Sequence, residues 1–230
     1  MIALRKYVVF AVLAALQGCV ANEAFRGAVS DEPCRVDPVA TFEERCAQAN
    51  IERHPNFDLA FVEFDDQGWF YKRKQLESAI AHLERVAAQD ASQEILVLVF
   101  VHGWKHNAGF NDQNVEGFRK NILPRFTDES RRRRLVGLYV GWRGASLDLP
   151  HALQSVTFYD RKYSAEHVAR GSVRELFERV RQFEKTANAA GKRRVRLMIV
   201  GHSFGGLIVY NALAGHLRSE ERRVGKECRL

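Results

Sequence analysis

The chain has 230 residues, of which 46% are hydrophobic and 27% charged, and a formal net charge of +7 at pH 7. That charge lies mostly at the ends: residues 218–230 carry five basic against three acidic side chains, Arg5 and Lys6 add two positives, and about +3 remains for the body, so charge gives no ground for a nucleic-acid partner. Neither an internal repeat nor a low-complexity segment interrupts the chain.

Arg5 and Lys6 precede an apolar run over residues 7–16, too short to span a bilayer and typical of an export signal. The run ends in Leu16-Gln17-Gly18-Cys19, which resembles the lipobox of bacterial lipoproteins. The resemblance implies a signal peptide over residues 1–18 and lipidation of the Cys19 thiol. With Val20 following, it also implies an outer-membrane protein of the bacterial cell envelope facing the periplasm. Several acyl chains on one residue hold a protein stably on a membrane, where one chain alone is marginal. Residues 19–56 are polar, with Pro33, Pro38 and Pro55, and read as a tether and lead-in. Cys34 and Cys46 form a pair that an oxidising periplasm would bridge. No C-x-x-C or H-E-x-x-H spacing points to a metal, and no cofactor motif occurs.

Residues 57–64 read as a strand, Asp65-Asp66-Gln67-Gly68 as a turn and residues 69–71 as the second arm of a hairpin. Leu76, Ile80, Leu83 and Val86 recur at helical spacing and predict a helix over 74–89. Residues 95–101, a continuous β-branched-rich run, predict a central parallel strand. A short helix over 114–123 is expected to stop at Pro124. The basic run 131–134 reads as a solvated connection, followed by a strand over 135–142. Residues 143–163 are long for a connection and read either as a cap over a pocket or as a surface loop. Val173, Leu176, Phe177, Val180, Phe183 and Ala187 mark one face of a long helix ending near Gly191. A strand over 195–200 and a further helix complete the order, which predicts an α/β fold with a mostly parallel sheet and helices on both faces.

Two motifs carry chemistry. Gly201-His202-Ser203-Phe204-Gly205 follows a buried strand and precedes a helix, the layout of a nucleophile elbow; its glycines permit a turn too tight for Cβ atoms. Val101-His102-Gly103-Trp104 lies at the carboxyl end of the predicted strand over 95–101. Together with Val140-Gly141-Trp142-Arg143, these motifs resemble the α/β-hydrolases of the esterase/lipase superfamily, over residues 57–217. The resemblance implies Ser203 as nucleophile, the backbone N–H groups of Phe204 and Trp104 as oxyanion hole, and a small-molecule or lipid ester as substrate. His102, Gly103 and His202 adjoin the motifs and are expected to support the loops rather than act as base. His106 and Asn107 are candidates for the site rim, and Asp148 or Asp160 for the acid only in an unusual arrangement. The same motifs are compatible with an acyltransferase or a non-catalytic binding protein.

The string from Arg218 to Cys228 is identical to the in-frame translation of a common sequencing-library adapter, so residues 218–230 are expected not to be native. On that reading the triad histidine and acid lie downstream of Leu217 in the gene, and the chain as written is an inactive fragment.

Overall fold

A computed structural model of the chain describes residues 22–36, 45–90, 93–127, 133–145, 157–189 and 194–227, with side chains to residue 215. Six strands form one mixed sheet: β1 (Cys34–Arg35), β2 (Ile51–Arg53), β3 (Phe57–Phe64), β4 (Glu94–Val101), β5 (Arg133–Trp142) and β6 (Val195–Gly201). They run in the order β1-β2-β3-β5-β4-β6. β3, β5, β4 and β6 are parallel, and β2 is antiparallel to β3. The register sets Val101 opposite both Val140 and Gly201, so the carboxyl ends of β4, β5 and β6 share one edge.

Alternation along the strands sends side chains to opposite faces. On one face Val62, Val97, Val99 and Val140 pack against helices α1 (Arg73–Gln89), α4 (Phe158–Arg170), α5 (Val173–Asn188) and α6 (Phe204–Glu227). On the other, Leu59, Phe61, Leu98, Phe100 and Tyr139 meet Val115, Phe118 and Leu123. These three come from α2 (Gln113–Gly117), a π-turn (Phe118–Ile122) and α3 (Leu123–Phe126). Each fully buried aliphatic or aromatic side chain here stabilises by about 1.5–3 kcal/mol. The sheet is an α/β architecture with helices on both faces. Its β6 edge leaves Met198 and Val200 exposed.

Three expectations are corrected. The expected hairpin of 57–64 with 69–71 is reduced to a single bridge, and the antiparallel partner of β3 is instead β2, the strand before it. One flank of β3 pairs along its whole length with β5 and the other with β2, and residues 69–71 add only a bridge from Phe70 to Phe64 before α1 begins. Pro124 does not stop the helix: the chain widens into the π-turn, with Leu123 N–H bonded to Phe118 O, and Pro124 falls in the first turn of α3, where its missing N–H costs little. Arg134, expected in a solvated connection, lies in β5 and donates to both carboxylate oxygens of the buried Asp58 at 2.8 Å. The helix α4 had no apolar periodicity to announce it, because the side chains it buries are Arg161, Ser164, Ala165, Val168 and Ala169.

The polar lead-in also supplies structure. Arg26 is fully buried; its guanidinium bonds Glu52 at 2.9 Å and Ala108 O at 2.8 Å and lies over the Phe61 ring. Arg119 grips the same Glu52 with two bonds, and His54 approaches its other side at 2.9 Å. Burial pushes the Glu52 carboxyl upward, but the His54 bond and the Arg26 and Arg119 charges outweigh it and hold Glu52 below its ordinary value. Cys34 and Cys46 are joined by a disulfide, with Cα atoms 5.7 Å apart.

Candidate active site

The site is built where β4 and β6 end together. Past Gly201 the chain turns sharply: His202 N–H donates to Val101 O at 3.0 Å, and Ser203 takes a left-handed backbone with φ of +55°. α6 then starts at once, with Gly205 N–H on His202 O and Gly206 N–H on Ser203 O. A Cβ on Gly201 would overlap the Gly205 backbone, and one on Gly205 would overlap Val101 O, so both motif glycines are steric necessities. A non-glycine residue in this conformation costs on the order of 1–2 kcal/mol, strain that clusters at functional sites. The Ser203 side chain is exposed at the sheet edge.

The loop after β4 comes up beside it. A Cβ on Gly103 would stand 3.0 Å from Ser203 Cβ and 2.9 Å from His202 Nδ1, so only glycine lets the two turns meet. His102 is buried and braces this loop against β5. Its Nε2 accepts from Trp142 N–H at 2.9 Å, which puts the proton on Nδ1, and Nδ1–H donates to Gly103 O at 2.9 Å. Trp142 Nε1–H returns a bond to His102 O, and the two rings stack at 5.5 Å. Burial lowers the His102 pKa to about 4, so the imidazole is neutral at physiological pH. Lys105 is also left-handed, at φ +72°, and Gly144 closes the loop by accepting from Lys105 N–H and donating to His106 O.

Three rings gather at the serine turn. Phe158, at the start of α4, lies 5.2 Å edge-on to Trp104 and 5.1 Å from Phe204. Trp104 and Phe204 themselves are 6.3 Å apart. The residues named from sequence (His102, Gly103, Trp104, His202, Ser203 and Phe204) thus stand together. Nothing in the local sequence marks Phe158 as a site residue, because no periodic apolar pattern surrounds it and its partners Trp104 and Phe204 are about 50 positions away. Trp142 was noted, but not its two bonds to His102.

Other candidates stand elsewhere. His106 bonds Asp112 at 3.2 Å, and Asp112 also takes Asn107 N–H and caps α2. Asp160 is paired with Arg161. Of the other described histidines, His54 bonds Glu52, His82 bonds Asp58, and His167 bonds Gln67. Asp148, Cys19 and the greater part of the proposed cap, residues 146–156, lie outside the described residues, as do the side chains beyond 215.

The chain matches no protein-family model, no curated protein and no solved structure. Among the described residues no group of three His, Cys, Asp or Glu side chains could hold a metal, and no helix is long and apolar enough to cross a membrane.

Proposed function

We propose that the protein is a serine hydrolase of the α/β-hydrolase type, acting on carboxylic esters and held on the bacterial envelope through lipidated Cys19. The observation that carries this reading is the left-handed Ser203, exposed at the carboxyl end of β6 and backed by Gly103 from the loop after β4. Ser203 Oγ attacks the ester carbonyl, and the N–H groups of Phe204 and Trp104 receive the developing oxyanion. The carbon–oxygen bond to the alcohol then breaks, the alcohol leaves with a proton, and water releases the acid from the acyl-serine. A histidine base takes the serine proton and returns it to the leaving alcohol.

The second reading is a non-catalytic binding protein of the same build. Fluorophosphonate labelling of the intact protein separates the two. The hydrolase reading expects an adduct on Ser203 that disappears in Ser203→Ala. An adduct surviving that substitution, or none at all, would overturn it. Acyl transfer is read by adding an alcohol acceptor and following the ester product.

A further inference from the structure

The described chain begins at Asn22, whose side-chain oxygen accepts a hydrogen bond from the Tyr71 hydroxyl. Cys19 is three residues earlier, so no conformation carries it more than about 11 Å from Asn22. The segment that holds Tyr71 also holds Trp69, 65% exposed, and runs into exposed Lys74, past Lys72, which donates to Gly27 O, and Arg73, which is paired with Glu175 and Glu77. Gly68 presses this segment onto the end of α4: Ser172 N–H donates to Gly68 O at 2.7 Å, and a Cβ on Gly68 would lie 2.5 Å from His167 O.

From His167 an exposed stripe runs back along α4. The Tyr163 ring is 4.3 Å from that of His167, and Tyr159 lies one turn further on the same face. Tyr163 is 61% and Tyr159 80% exposed, and exposed Lys162 and Arg170 interleave with them. Tyr159 touches Phe158 at 5.5 Å, and Phe158 packs on Phe204 beside Ser203. One face therefore leads from the point where Cys19 joins the fold to the serine.

We propose that Trp69, Tyr163 and Tyr159 form a lipid-docking face, with the protein lying on a bilayer and the approach to Ser203 at the margin of that face. Trp and Tyr join an apolar ring to a polar tip and are favoured at the bilayer interface. Lysine stems such as those of Lys74 and Lys162 lie along apolar surface while their charges reach anionic headgroups; Arg73 and Arg170 are paired with Glu175 and Glu166. Exposed aromatics grouped in this way need a partner, and a bilayer tethered at Cys19 would meet this face first. The docking rests on the Cys19 anchor and not on Ser203, whereas the assignment of bilayer lipid esters as substrates rests on the Ser203 reading.

The test reconstitutes the full chain into vesicles of phosphatidylethanolamine and phosphatidylglycerol doped with phosphatidylcholine brominated on its acyl chains. Brominated lipid should quench tryptophan emission, and Trp69→Phe should remove most of that quenching while Trp104 and Trp142 remain. Tyr159→Ser with Tyr163→Ser, both on the surface, should cut it by more than about half, because the anchoring rings are lost. Equal emission with and without bromine, quenching unchanged in Trp69→Phe, or no association with vesicles overturns the proposal. The readout needs no turnover, so its failure is distinct from a failure of the Ser203 reading; the mass of the N-terminal peptide reports Cys19 separately.

Discussion

Gly103 and Ser203 stand back to back: a Cβ on the first would lie 3.0 Å from the Cβ of the second, tighter than nine in ten real Cβ contacts. The same added carbon would meet His202 O at 3.0 Å, so neither turn has room to give without moving the other. Gly103→Ala is therefore expected to push the Trp104 N–H away from the reacting carbonyl. A displacement of about 1 Å in such a site costs on the order of 100-fold in rate. Fluorophosphonate labelling should slow at least tenfold by that reasoning, and the overpacking should cost about 1–3 kcal/mol of stability; labelling at the parent rate refutes the pairing of the two turns.

Ser203 carries its strain whatever its side chain does. Ser203→Ala keeps the left-handed backbone and a Cβ, whereas Ser203→Gly relieves the steric cost. The glycine variant should be more stable than the alanine variant by about 1 kcal/mol, after allowing for the extra freedom glycine gains in the unfolded chain. Urea unfolding of the two variants side by side measures the difference, and equal midpoints would show an unstrained turn.

His102 predicts a pH window. Its folded pKa is about 4 against about 6.5 when unfolded, so the unfolded chain binds the proton first as pH falls. The stability it contributes is complete above pH 6.5 and is lost between about 6.5 and 4, to a total on the order of 3 kcal/mol. The paired carboxylates Glu52, Asp58 and Asp112, all held below their ordinary values, add their losses only at lower pH. Denaturation of the parent and His102→Gln at several pH values should give curves that converge over that upper window. Parallel curves would mean that His102 titrates normally.

Glu52 sits fully buried between Arg26 and Arg119. Removing it takes the one carboxylate that both buried guanidinium groups bond, and breaking such a buried pair typically costs about 3–5 kcal/mol. Glu52→Ala should unfold at correspondingly lower denaturant. A loss below about 1 kcal/mol, the range of exposed pairs, would mean that water reaches the cluster.

The legible parts of the molecule were those whose signal is contiguous. The strands at 57–64 and 95–101 are apolar runs, α1 and α5 repeat at helical spacing, and the glycines of the serine turn declare a backbone that no Cβ can enter. β2 was hidden because Ile51-Glu52-Arg53 has a single apolar side chain, and its carboxylate is buried only by virtue of Arg26 and Arg119, the latter 67 residues away. Phe158 was hidden for a similar reason: its importance lies in touching Trp104 and Phe204, which no local pattern records.

By itself, then, the sequence determined the α/β alternation, the two glycine turns, and the paired cysteines, all of which follow from steric and hydrophobic rules acting over a few neighbouring residues. The tertiary structure alone decided that the turns meet. The parallel register sets Val101 beside Gly201, the Trp142 bonds lock His102 and hold the Gly103 loop upright, and Phe158 closes the aromatic wall. Those relations join residues tens of positions apart, and only packing makes them neighbours.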